Sequence, residues 1–284
     1  MSYNPIIIVG SVRSGTNMLR DTLSKIPNYG TWDCDEINPI WRHGNINHPN
    51  DELTPEMVTP EIRKFIRKEF QKLANQLNVE NVVEKTTATS LRVAYTHKVF
   101  PEAKYIFLYR DGRDVAVSAQ KRWNAPFDFT YSYKKFRYVP LVDMPYILYY
   151  YTKNRIGKMV SGAKTYRTWG PRYNGIDDDV KNYSLLEVCG LQWKHYVESS
   201  LEQMEDIPEN QLLKVQYERL VTHPREEINR ICDFLEIAPE QIEAYGLHQG
   251  INARSIGNWK KLNPQNQELL NNLLTPTLKK LGYN

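Results

Sequence analysis

Residues 4–19 read NPIIIVGSVRSGTNML, and this stretch decides the fold. Ile6, Ile7, Ile8 and Val9 form an unbroken apolar, β-branched run, the pattern of a short strand buried on both faces of a parallel sheet. The run leads directly into Gly10, Ser11, Ser14 and Gly15. These small residues let backbone N–H groups face an anion where the next helix begins. The spacing of Gly10 and Gly15 follows the phosphate-binding pattern G-x-x-x-x-G-K-[ST]. The ending does not: Thr16 stands where that pattern has lysine, and Asn17 where it has serine or threonine. Both can donate from the first helical turn, and Arg13 puts one cation inside the loop. The stretch is therefore an anion loop without the lysine of an ordinary ATP or GTP hydrolase.

Outward from this loop, strand and helix patterns alternate. Strand-like runs fall at Pro5–Val9, Asn81–Val83, Lys104–Tyr109 and Leu212–Gln216. Helical periodicity follows the first loop, and recurs over 60–77, Ser90–Phe100 and 112–121; a further helix starts at Pro224. The alternation predicts an α/β fold with a doubly wound, P-loop-type parallel sheet flanked by helices. No linker or repeat divides the chain, so 1–284 reads as a single domain. Segment 122–185 breaks the rhythm, with seven tyrosines between Tyr131 and Tyr151 and frequent Pro and Gly. It reads as an inserted, partly helical segment, placed to recognise an acceptor.

Composition narrows the class. The 284 residues are 41% hydrophobic with a formal net charge of +4, which suits an anionic ligand and is too weak to indicate nucleic acid. Cys34, Cys189 and Cys232 form neither a disulfide framework nor a CxxC site, which implies a reducing compartment. No signal-peptide pattern is present, and no apolar run reaches the ~18–20 residues of a membrane span. A cytoplasmic protein is the expectation. His48, His97, His195, His223 and His248 lack ligand spacing, so no metal is expected.

A second constellation is YIFLYRDGRDVAVSAQKRW, 105–123. Arg110 ends a buried strand and Ser118 lies eight residues on, within the next helix. The two can converge on a second anion. Asp111, Arg113 and Asp114 read as parts of the turn itself. Two anion sites at strand carboxyl edges suggest a nucleotide phosphorylated at both ends.

These residues carry a family resemblance. PIIIVGSVRSGTNML is similar to the 5′-phosphosulfate loop of sulfotransferases that use 3′-phosphoadenylyl sulfate (PAPS), and YIFLYRDGRDVAVSA resembles their 3′-phosphate signature. VVEKTTATSLR (82–92) resembles the segment bearing their second-strand lysine. LLKVQYERLVTHPREEINRICDFLEI (212–237) resembles their late strand–helix unit, and RSIGNWKK (254–261) the loop that closes on the cofactor. The resemblance covers about 1–120 and 185–284. It implies that Arg13, Ser14, Gly15, Thr16, Asn17, Arg110, Ser118, Tyr217, Arg254 and Ser255 bind PAPS, with PAP as product. It implies Arg13 and Lys85 as catalytic cations.

Within the family, the small-molecule cytosolic enzymes use a loop lysine and a histidine base. Here the loop has Arg13, and Thr87 falls where that histidine would be. The chain looks nearer to the tyrosylprotein and bacterial branches, with an acidic base after the first helix. Asp33, Asp35 and Glu36 all fit that place and His43 is an alternative; Glu36 is preferred for its reach and for the Ile-Asn-Pro turn that follows it. Sulfuryl transfer moves a singly charged group, so protein cations can serve without Mg²⁺. The implied acceptor is a hydroxyl (less readily an amine) of a sugar, lipid-linked glycan, phenol or peptide tyrosine. The rival readings are a nucleotide phosphotransferase and a non-catalytic nucleotide-binding protein.

Overall fold

A computed structural model describes residues 3–124, 137–140, 142–145 and 169–283. Most of the expected insertion, including six of its seven clustered tyrosines, lies outside the described residues. In chain order the strands are β1 (Asn4–Val9), β2 (Tyr29–Gly30), β3 (Asn81–Glu84), β4 (Lys104–Tyr109) and β5 (Leu212–Gln216). All pair in parallel, in the order β2-β3-β1-β4-β5. β1 is central, with Ile6 opposite Val83 on one side and Ile8 opposite Ile106 on the other.

The period of two in β1 sorts its side chains into two cores. Ile7 and Val9 join one layer with Trp41, Phe70, Phe107 and Trp193. Ile6 and Ile8 join the opposite layer with Leu19, Leu23, Leu220 and Ile231. Both faces of the sheet are thus covered, as a parallel sheet requires. The helices that matter here are α1 (Thr16–Leu23), α2 (Asn38–Trp41), α3 (Pro60–Leu77), α4 (Val93–Val99), α5 (Gly112–Trp123), α6 (Leu185–Gln203) and α7 (Tyr217–Thr222).

Two local readings change. β2 has only two residues, too short to show as an apolar run. The helix expected over 90–100 is split into a 3₁₀ turn, Thr87–Leu91, and α4. The break is Arg92, whose φ of −151° is not helical and whose fully buried guanidinium donates to Asn38 Oδ1. A long-range polar contact overrides the local helical pattern there.

Candidate active site

The carboxyl ends of β1, β3, β4 and β5 share one sheet edge, where parallel α/β sheets bind ligands. Each is followed at once by residues of a single cleft of about 1030 Å³: the 10–16 loop, Lys85, Arg110 and Tyr217.

The loop after β1 is tightly packed. A Cβ on Gly10 would sit 2.5 Å from Leu108 O, and one on Gly15, at φ +92°, 2.7 Å from the Tyr217 ring. Only glycine lets the chain pass both points. Ser14 Oγ is buried and donates to Ser11 O at 2.6 Å, so what Ser14 can offer an anion is its backbone. Gly15, Thr16 and Asn17 line the cleft. Asn17 Oδ1 is buried and has no hydrogen-bond partner among the described residues.

Arg13 and the β4 end converge. Arg13 Nε donates to Ser118 Oγ at 3.0 Å, and Arg110 Nη1 donates to Arg13 O at 2.9 Å. Arg110 Nη2 donates to Ser255 O at 2.6 Å, its guanidinium lies 4.5 Å over the Tyr217 ring, and Tyr217 OH meets Ser255 Oγ at 2.7 Å. Arg110 is only 4% exposed, yet its Nε has no partner among the described residues. Arg122, one helical turn beyond Ser118, also lines the cleft. Burial, then the charges of Arg110 and Arg122, lower the pKa of Arg13. Arg122 was within reach of sequence reading, since residues four apart share a helix face.

The end at β3 is built otherwise. Glu36 Oε1 accepts from Thr87 Oγ1 at 2.6 Å and lies 3.3 Å from Lys85 Nζ. The backbone beside it is fixed by Ile37 N donating to Thr86 Oγ1 at 3.0 Å. Thr86 Oγ1 in turn donates to the fully buried Glu84 at 2.5 Å. Beyond Glu36 the cleft is lined by Asn38, Arg42, Asp51 and Arg172. Asp51 accepts from Arg42 at 3.0 Å, Asn38 at 3.2 Å and the Arg172 amide at 2.8 Å. No local signal marks this network, because its members come from separate segments.

The expected acids separate by place. Glu36 and Asp35 line the cleft; Asp35 is 3.5 Å from the Arg20 guanidinium. Asp33 lies outside the cleft lining, bonded to Arg137 and Tyr138. His43 is also outside it, 2.7 Å from Asp143 and with its ring tilted 32° against that of Phe65. Arg254 is exposed and outside the lining, whereas its neighbour Ser255 is within it. Among the described residues no cluster of His, Cys, Asp or Glu is arranged to hold a metal, and no helix is long and apolar enough to cross a membrane.

Known proteins resemble this chain in sequence and in fold. A protein-tyrosine sulfotransferase of Drosophila melanogaster is 23% identical over 83% of this chain and 39% of its own length. One of Caenorhabditis elegans is 22% identical over 82% of this chain and 50% of its own length. The chain thus spans half or less of these two relatives. Among solved structures, the sulfotransferase of Alicyclobacillus acidocaldarius superposes with a TM-score of 0.54 at 16% identity, covering 99% of this chain and 94% of that one. A mouse sulfotransferase complexed with PAP gives 0.51 at 15%, covering 97% and 85%. These structural likenesses show the fold. The sulfotransferase domain family matches residues 4–273, nearly the whole sequence, and the chain belongs to that family.

Proposed function

We propose that the protein transfers a sulfuryl group from PAPS to a hydroxyl acceptor and releases PAP. The observation that carries this reading is the cleft itself, with an anion loop and a partly unsatisfied arginine cluster at one end and a Lys–Glu pair at the other. In this reading the amides from Ser14 to Asn17 and the Thr16 hydroxyl bind the 5′-phosphosulfate. Arg110, Ser118 and Ser255 bind the 3′-phosphate, and Tyr217, already stacked with Arg110, borders the adenosine. Arg254 contributes only if its loop brings it inward.

Glu36 takes the acceptor's proton as the acceptor oxygen bonds to sulfur. The bond from sulfur to the 5′-phosphate oxygen breaks in line, and its electron pair leaves with PAP. Arg13 and Lys85 stabilise charge growing on the transferred group and the departing phosphate. Lys85 already lies beside the Glu36 carboxylate, so acid and cation come as one preorganised unit. The names of the sequence relatives make a peptide tyrosine the first acceptor to try, beside sugars, lipid-linked glycans and phenols.

The test is incubation of purified protein with radiolabelled PAPS and this acceptor panel. Label on an acceptor, with PAP formed in equal amount, is expected. Phosphoryl transfer from ATP to the same panel, without sulfuryl transfer, would overturn the reading in favour of a kinase.

A further inference from the structure

The 254–261 loop is a thin wall between two cavities. Ser255 faces the large cleft, while Ile256, Gly257, Trp259 and Lys260 line a second hollow of about 400 Å³ with Asp111, Arg113, Asp114 and Glu218. Arg110 and Tyr217 hold Ser255. The next residues are held from α5: Asp114 Oδ2 accepts from Gly257 N at 2.7 Å and Oδ1 from Trp259 N at 3.0 Å. Asp114 is 2% exposed, so both charge-assisted bonds are shielded from water.

An acid in the first turn of a helix ordinarily serves that helix's own N–H groups. Here Asp111 does so, accepting from Arg113 N at 2.9 Å as N-cap, and Asp114 is left for the loop. Asp114 also lies 3.9 Å from the Arg110 guanidinium, where its negative charge opposes anion binding. Charge and geometry therefore make opposite demands at this residue. We infer that Asp114 is a positioning residue: it latches the 254–261 loop so that Ser255 and Arg110 face the 3′-phosphate. This rests on the nucleotide reading given above.

The opposition makes the test decisive. If charge governs, removing Asp114 strengthens PAP binding; if the latch governs, it weakens it. Asp114→Ala is expected to raise the Kd for PAP about tenfold or more, roughly 1.4 kcal/mol, while the Kd for AMP, which lacks the 3′-phosphate, changes much less. Trypsin, which cuts after Arg254, Lys260 and Lys261, is expected to nick the ligand-free variant there faster than the wild type. Asp114→Asn removes the same charge but keeps the shape and one acceptor oxygen, so it should fall between the two on both readouts. PAP binding that is unchanged or tighter in Asp114→Ala, or a tryptic pattern like that of the wild type, would overturn the latch, and Asn and Ala variants that behave alike would do so too. A wild-type protein that binds PAP no better than AMP would instead sink the nucleotide reading, while the tryptic comparison still tests the latch.

Discussion

The two ends of the cleft balance charge differently. At the β1–β4–β5 end, Arg13, Arg110 and Arg122 gather near Ser118, and among the described residues neither Arg13 nor Arg122 has a carboxylate partner. At the β3 end, charges are matched within the protein: Lys85 with Glu36, Arg42 with Asp51 at 3.0 Å, and Arg172 with Asp177 at 2.5 Å. The first end is electrostatically incomplete, and an anion with several phosphate oxygens would complete it. The second carries its own carboxylates, with Arg42 and the buried Arg92 sharing Asp51, so what it receives need not be charged. This contrast supports a polyanionic donor at one end and a hydroxyl acceptor at the other.

The contrast can be broken most severely at Glu36. Glu36→Gln should lower kcat by roughly 10²–10⁴, about 3–5 kcal/mol, with PAP affinity unchanged. A near-normal kcat for this variant, with a large loss for Asp35→Asn, would move the base by one residue. Asp51 tests the matched end as structure. Asp51→Ala leaves Arg42 and the buried Arg92 without their carboxylate and should cost about 3–5 kcal/mol of stability, read as a lower denaturation midpoint. Its PAP affinity, measured on the folded fraction, should stay near the wild-type value; a large loss would mean that the two ends are coupled.

Arg13 tests the unmatched end as chemistry. Arg13→Ala should cost about 10²–10³ in kcat and less in PAP binding, because it faces charge that grows in the transition state. Equal losses would make it a plain binding residue. The smallest expected effect is at Glu84, beneath the matched end. Burial, opposed by the Thr86 hydrogen bond, pushes its pKa from 4.5 to about 7. The folded protein then holds this proton more tightly than the unfolded chain, so the group's contribution to stability falls as pH rises from about 4.5 to about 7 and is flat above. Glu84→Gln should therefore raise Tm by a few degrees at pH 8 and by less at pH 5. The same shift at both pH values would remove Glu84 ionisation as the cause.

The unmatched end was the legible one. Most of its groups either follow a strand directly, as the loop, Arg110 and Tyr217 do, or sit about two turns beyond such a residue, as Ser118 does. Short-range spacing marked the loop, Arg110 and Ser118, and β1, β4 and β5 appeared as apolar runs for the same reason; Tyr217 and Ser255 came only from the family resemblance, and Arg122 was not read. The matched end was only half legible. Lys85 and the acidic stretch stood out, but the bond from Thr87 to Glu36 joins residues 51 positions apart. The Asn38–Arg42–Asp51–Arg92–Arg172 network has no local period at all. That network also explains why the helix expected over 90–100 breaks at Arg92. Asp114 misled for a related reason: a first-turn acid looks like a cap until its partners, 143 and 145 positions away, are seen.

The central claim is that the cleft takes a nucleotide phosphorylated at both ends, and the most direct measurement is the melting temperature with PAP, AMP and ATP at equal concentration. PAP should raise Tm more than either of the others, because only it offers a 3′-phosphate to Arg110 and Ser118 as well as a 5′-phosphate to the loop. In Arg110→Ala the advantage of PAP over AMP should disappear. A shift with ATP or AMP as large as that with PAP, or an advantage of PAP that survives in Arg110→Ala, would contradict the account.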